Sequence, residues 1–153
     1  EDNVHADELF MDINVNMLLE KSTYDEPSGL VFIWVTTTKI PVVYKYAERY
    51  NLKVVEMITW VKQYPNGSLV QTQGPLMHRS CEFCMVLETQ LRHRFVRREA
   101  VNNVIISNVR AQSQKPNELY VMIEEMVNGG SCIELFGRLH NLRSHWVTVG
   151  DQL

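Results

Sequence analysis

Four groups of residues carry side chains suited to chemistry. In Glu134-Leu-Phe-Gly-Arg-Leu-His-Asn141 an apolar run stops at Gly137, and Arg138, His140 and Asn141 follow at once. A glycine at a strand end permits close backbone approach or a left-handed turn. A carboxylate such as Glu134 near the carboxyl end of a strand can accept hydrogen bonds from ribose hydroxyls. Arg138, His140 and Asn141 add donors and acceptors, and Gly150-Asp-Gln152 adds more past the last strand. The pattern suits a nucleotide-like ligand; a salt-bridged surface loop accounts for the same residues. In Gln112-Ser-Gln-Lys-Pro116, Lys115 stands where a loop meets a helix start, a place that favours anions. A plain surface lysine is the competing account.

The third group is basic. Arg92, Arg94, Arg97 and Arg98 surround His93 and Phe95. Arginines of this kind contact phosphates and an aromatic ring can stack on a base, while a solvated face or an intersubunit patch has the same composition. The fourth group is Cys81-Glu-Phe-Cys84, with His78 just before it. A structural zinc needs four ligands. Residues three apart on a strand point to opposite faces, so one core cysteine and one loop cysteine are expected, and no metal.

Elements must position these groups. The sequence predicts a helix and loop over 5–20, a strand at 30–35 buried on both faces, and a helix at 40–50. That helix would be capped among Thr36 to Thr38, carry Pro41 in its first turn, and turn Val43, Tyr46 and Ala47 inward. Strands follow at 53–61, 82–87 and 103–107, with a turn at Pro65-Asn-Gly-Ser68. A helix at 118–127, capped by Asn117 and ended by Asn128-Gly-Gly130, precedes strands at 132–136 and 146–149. The first strand, helix and next strand form a β-α-β unit, which favours parallel strands. The class is α/β, in a single domain over 1–153.

Composition sets outer limits. With 45% apolar and 22% charged residues and a net charge of −3, this is an ordinary globular chain rather than a wholly basic nucleic-acid binder. Three cysteines fit a reducing compartment. The longest apolar run, 30–35, is far too short to span a bilayer. The acidic start does not read as a signal peptide, so the expected location is intracellular, nuclear or cytoplasmic.

Five blocks, LVFIWVTTTK, EMITWVK, SQKPNELYVMIEEM, IELFGRLHN and HWVTVGDQL, occur in this order. Together they resemble the eukaryotic N(6)-adenine methyltransferases of RNA or DNA, the family of the messenger-RNA methyladenosine writer. The resemblance covers residues 29–153, with a weaker match over 7–19. It implies a Rossmann-like methyltransferase fold that uses S-adenosylmethionine, permuted so that the acceptor motif precedes the cofactor motif. It places Lys115 at the methionine end of the cofactor. Glu134, Leu135, Phe136, Gly137, Arg138, His140 and Asn141 would lie against ribose and adenine, and Asp151 and Gln152 would bond the ribose hydroxyls. The family more often has Asn where Asp151 stands.

Two departures accompany the resemblance. The family's catalytic Asp-Pro-Pro-Trp motif does not occur in the sequence. Asp7-Glu-Leu9 aligns instead with the helix after that motif, so the first strand and the motif are expected upstream or lost. The family's Lys-Glu-His-Cys block reads Cys81-Glu-Phe-Cys84, without the lysine, which makes Cys84 an ordinary strand residue. Two expectations follow. One is an adenine methyltransferase domain whose acceptor motif lies elsewhere. The other is an inactive partner that supports nucleic-acid binding and an active paralogue in a heterodimer. An unrelated nucleotide-binding α/β domain is the third.

Overall fold

The computed structural model describes residues 2–153. Its elements are α1 (Asp2–Met11), β1 (Glu20–Lys21), β2 (Pro27–Ser28), β3 (Leu30–Val35), α2 (Ile40–Arg49) and β4 (Leu52–Gln63). They continue with β5 (Cys81–Thr89), β6 (Val104–Asn108), α3 (Asn117–Met126), β7 (Cys132–Leu135) and β8 (Trp146–Val149). No helix among the described residues is long and apolar enough to cross a membrane.

The main sheet has the order β3-β5-β4-β6. Strand β5 is antiparallel to both β3 and β4, and β6 is parallel to β4. Strands β3 and β4 therefore run the same way, as the β-α-β reading requires, but β5 lies between them. A separate pair, β7 and β8, is parallel. The sheet is thus mixed, and the class is α/β.

Strand β5 explains the layering. Cys84 and Val86 face one apolar cluster with Ile58, Trp60 and Ile105, under Leu119, Met122 and Ile123 of α3. Met85 and Leu87 face the other, with Val43, Tyr46 and Ala47 of α2. Alternate residues of one strand point to opposite faces, so an unbroken apolar run means helices on both sides. Burying each large side chain here contributes roughly 1.5–3 kcal/mol.

Helix α1 is tied to α2. Phe10 stacks on Tyr46 at 4.6 Å, the Tyr46 and Tyr50 hydroxyls each donate at 2.7 Å to the carbonyls of Ile13 and Met11, and Lys39 grips both Asp7 oxygens. Beyond Met11 the chain leaves the helix and makes a 3-10 turn at Val15–Met17, so the helix followed by a loop expected over 5–20 passes from one to the other at Met11.

Other expectations need correction. Strand β3 is half-buried along its length. It is an edge strand whose second edge pairs with no strand among the described residues. Thr36 to Thr38 do not cap α2 with a side chain: Thr37–Lys39 form a 3-10 turn and Lys39 takes the cap position. Asn117 does not cap α3; Pro116 holds the cap position in extended backbone, and the Asn117 carboxamide accepts from Arg143 at 2.8 Å.

Candidate functional site

The parallel strands β7 and β8 end side by side. After β7 the left-handed residue is Phe136 (φ 60), not the glycine beside it. Gly137 is required for another reason. A Cβ there would meet Thr148 Cγ2 at 2.1 Å, and a Cβ on Gly150 would meet the Gly137 carbonyl oxygen at 2.0 Å. The two glycines let the strand ends close on each other. The Gly137 N–H donates to the Val149 carbonyl at 3.0 Å, and Arg138 then bridges to Gln152. Both polar tails thus leave the sheet together.

Residues Leu139–Asn141 form a 3-10 turn. The Asn141 carboxamide closes it, accepting the Arg138 N–H at 2.8 Å, and also donates to the Tyr120 hydroxyl at 2.8 Å. That hydroxyl lies 2.9 Å from both oxygens of Glu134. Burial pushes the Tyr120 phenol up to about 12. Burial also raises the Glu134 carboxyl, against the opposing Tyr120 bond and His140 charge. Arg143 fastens the following segment to α3 through two bonds to Glu124, at 2.7 and 3.0 Å.

A recess of about 70 Å³ opens here, with Arg110, Lys115, Tyr120, His140, Asn141 and Arg143 among its lining. Three predicted residues, Lys115, His140 and Asn141, therefore meet. Glu134 and Arg138 stand beside them through the bonds described. Asp151 and Gln152 adjoin Arg138 but do not line the recess. Leu135 ends β7, and Phe136 is 74% exposed past it.

The Lys115 ammonium is already engaged. It pairs with Glu82, whose other oxygen takes Lys62 at 3.3 Å, and lies 4.9 Å from the centroid of the Trp34 ring. Burial pushes the Glu82 carboxyl upward, but the bonds and charges of Lys115 and Lys62 outweigh it and hold the carboxyl below its ordinary range. Sequence reasoning missed Tyr120, Arg143 and Lys62 as parts of this frame. Tyr120 and Lys62 sit inside apolar-patterned elements, where an aromatic or a lone lysine reads as scaffold.

The donor set fits the polar end of S-adenosylmethionine. Cationic side chains suit its carboxylate, and the tails after β7 and β8 suit hydroxyls. At about 70 Å³ the recess is far below the roughly 300 Å³ of a full ligand pocket. A volume of this size suits the carboxylate end alone.

The basic segment divides in two. Arg98 pairs with Glu88, a carboxylate only 3% exposed, and His93 is buried against Glu20 at 2.9 Å. These are structural. Arg92, Arg94 and Arg97 are exposed and form no ion pair among the described residues. The Arg94 guanidinium covers Phe95 at 4.5 Å from the ring centroid, so that ring is already stacked. In the Cys81-to-Cys84 segment, Cys84 is fully buried and its thiol is pushed up to about 12 by desolvation.

Comparison with known proteins gives the family. The MT-A70 family model matches residues 3–152. A putative N(6)-adenosine-methyltransferase MT-A70-like protein of Medicago truncatula is 37% identical over 127 residues, 82% of this chain and 20% of that protein. An N(6)-adenosine-methyltransferase MT-A70-like protein of Arabidopsis thaliana is 34% identical over 140 residues, 88% of the chain and 20% of that protein. The Homo sapiens N(6)-adenosine-methyltransferase catalytic subunit METTL3 is 32% identical over 131 residues, 84% of the chain and 22% of that protein. The chain spans about a fifth of the length of these relatives. With almost its whole length matched by the family model, the chain belongs to the MT-A70 family.

Proposed function

We propose that this chain is the cofactor-holding part of an S-adenosylmethionine-dependent enzyme that methylates the 6-amino group of adenine in RNA or DNA. The observation that carries this reading is the convergence of Lys115 with His140 and Asn141 on one recess beside the carboxyl ends of two parallel strands. Ligands of α/β sheets bind in that kind of crevice.

When bound, the cofactor supplies a methyl group on an electrophilic sulfonium. The protein's task is to hold and orient. Lys115 would meet the carboxylate, with Glu82 and Lys62 fixing where its ammonium sits. Arg138, His140 and Asn141 would line the approach, and Asp151 and Gln152 would accept and donate to the ribose hydroxyls. The adenine amino nitrogen is a weak nucleophile because its lone pair is delocalised into the ring. Much of the catalysis would therefore be positioning. The acceptor clamp of the family, Asp-Pro-Pro-Trp, is not among the 153 residues. In this reading a segment outside these 153 residues contributes it, and a paralogous subunit completes a heterodimer. The exposed Arg92, Arg94 and Arg97 would contact nucleic-acid phosphates, and the site of action would be the nucleus.

The second reading is an inactive partner subunit. Cys81, which stands where the family has a lysine, favours it. Isothermal titration with S-adenosylmethionine separates the two. The first reading expects a saturable isotherm that Lys115→Ala weakens at least tenfold. Absence of binding up to millimolar cofactor sinks it in favour of the second.

A further inference from the structure

The hydrogen bonds around Tyr120 run in one direction. The Arg138 N–H donates to Asn141 Oδ1 at 2.8 Å, which turns the Asn141 Nδ2 toward Tyr120, where it donates to the hydroxyl at 2.8 Å. With that lone pair occupied, the phenol's single proton goes to Glu134, whose two oxygens are both 2.9 Å away. A carboxylate only accepts, so each role is fixed by the next group and the chain cannot reverse. The ring is fixed as well. Trp146 meets it edge-on at 5.1 Å, and the Arg143 guanidinium lies 5.4 Å from its centroid.

We propose that Tyr120 is a positioning residue of the S-adenosylmethionine site: its hydroxyl sets the Asn141 carboxamide, and so holds the turn that brings His140 to the recess with Arg138 beside it. The proposal rests on the methyl-donor reading above. Its physical basis is ordering. Asn141 is the clasp of the 3-10 turn, and without Tyr120 its carboxamide is free to rotate and release the Arg138 N–H. A site whose supporting residues are loose must be ordered at the expense of ligand affinity. Tyr120 lies on α3, the helix that starts just past Lys115, so one helix sets both sides of the recess.

The test is titration of S-adenosylmethionine and S-adenosylhomocysteine into the wild type, Tyr120→Phe, Asn141→Ala and the double variant. Tyr120→Phe keeps the ring against Trp146 and removes only the hydroxyl. Loss of one such bond is expected to weaken binding about tenfold. Asn141→Ala should weaken it at least as much, and the double variant no further, because Tyr120 acts through Asn141. In ligand-free protein the Asn141 side-chain amide signal should shift in Tyr120→Phe, a change that general loosening of the fold would not confine to that group. Should Tyr120→Phe not fold, Glu134→Gln replaces it: a carboxamide can donate back to Tyr120, and a similar loss is expected. Affinity of Tyr120→Phe within twofold of wild type, or losses that multiply in the double variant, overturn this proposal alone. A wild type that binds neither compound overturns the methyl-donor reading, and this proposal with it.

Discussion

Glu82 is the residue whose replacement tests the charge frame of the site. Its carboxylate holds Lys62 at 3.3 Å on one oxygen and Lys115 on the other. The Lys62 side chain is only 9% exposed. Glu82→Gln keeps the shape and removes the charge, leaving Lys62 as a buried cation beside Trp60. Breaking a buried pair costs roughly 3–5 kcal/mol. Glu82 and Lys115 are each about a third exposed, so water recovers part of this and about 2 kcal/mol is the expected loss. With 153 residues, an unfolding entropy of about 0.3 kcal/mol per kelvin turns that loss into a fall in Tm of about 6 °C. The pH dependence is the sharper test. The folded-state value of Glu82 is held below 4.5. Its contribution is therefore complete above the unfolded value and lost as pH falls through the folded one. The Tm gap between wild type and Glu82→Gln, followed by circular dichroism, should be full at pH 7 and close as pH drops below about 4.5. A gap that stays constant through that range would show that the charge contributes nothing and that the loss is one of packing.

Further predictions concern other parts of the molecule. Replacing Arg92, Arg94 and Arg97 together with alanine should flatten the salt dependence of single-stranded nucleic-acid binding, by about 0.7 in slope for each phosphate left without its arginine; an unchanged slope would remove this patch from the interface. Arg98→Ala should act on the fold instead, since it strands the buried Glu88, lowering stability by roughly 2 kcal/mol in urea titrations. Gly137→Ala should cost roughly 1–3 kcal/mol through its clash with Thr148. Thr148→Ser, which deletes the offending methyl, should restore most of that loss. Failure of the rescue would mean that Gly137 is needed for its backbone conformation rather than for space.

Where the sequence carried a period or an apolar run, the structure was readable from it. The inward face of α2, Val43, Tyr46 and Ala47, follows from helical spacing and is the buried set. The run at 82–87 announced the central strand β5. What escaped was pairing. Nothing local in Leu30-Val-Phe-Ile-Trp-Val35 says that β5 inserts beside it, because the partner arrives about fifty residues later. The site shows the same division. The residues with obvious heteroatoms, Lys115, His140 and Asn141, were visible. The roles of Tyr120, Glu82 and Lys62 were not, because each depends on a partner from a distant element. Of the two reasons offered for Gly137, the left-handed turn falls to Phe136 instead, and the close approach that constrains Gly137 is that of the Thr148 methyl across the strand pair.

The edge of β3 that pairs with no strand among the described residues has a consequence for handling the protein. Six consecutive residues, Leu30–Val35, are uncharged, β-prone and free of proline, the composition that nucleates cross-β stacking. Natural sheets blunt such edges with lysine, proline or a bulge, and this strand has none of these. The amides and carbonyls along that unpaired edge form a template for any extended chain, a second copy of this one included. Concentrated solutions of the isolated chain should therefore gain strand signal and mass with time. Ile33→Lys would supply the gatekeeper that the native strand lacks.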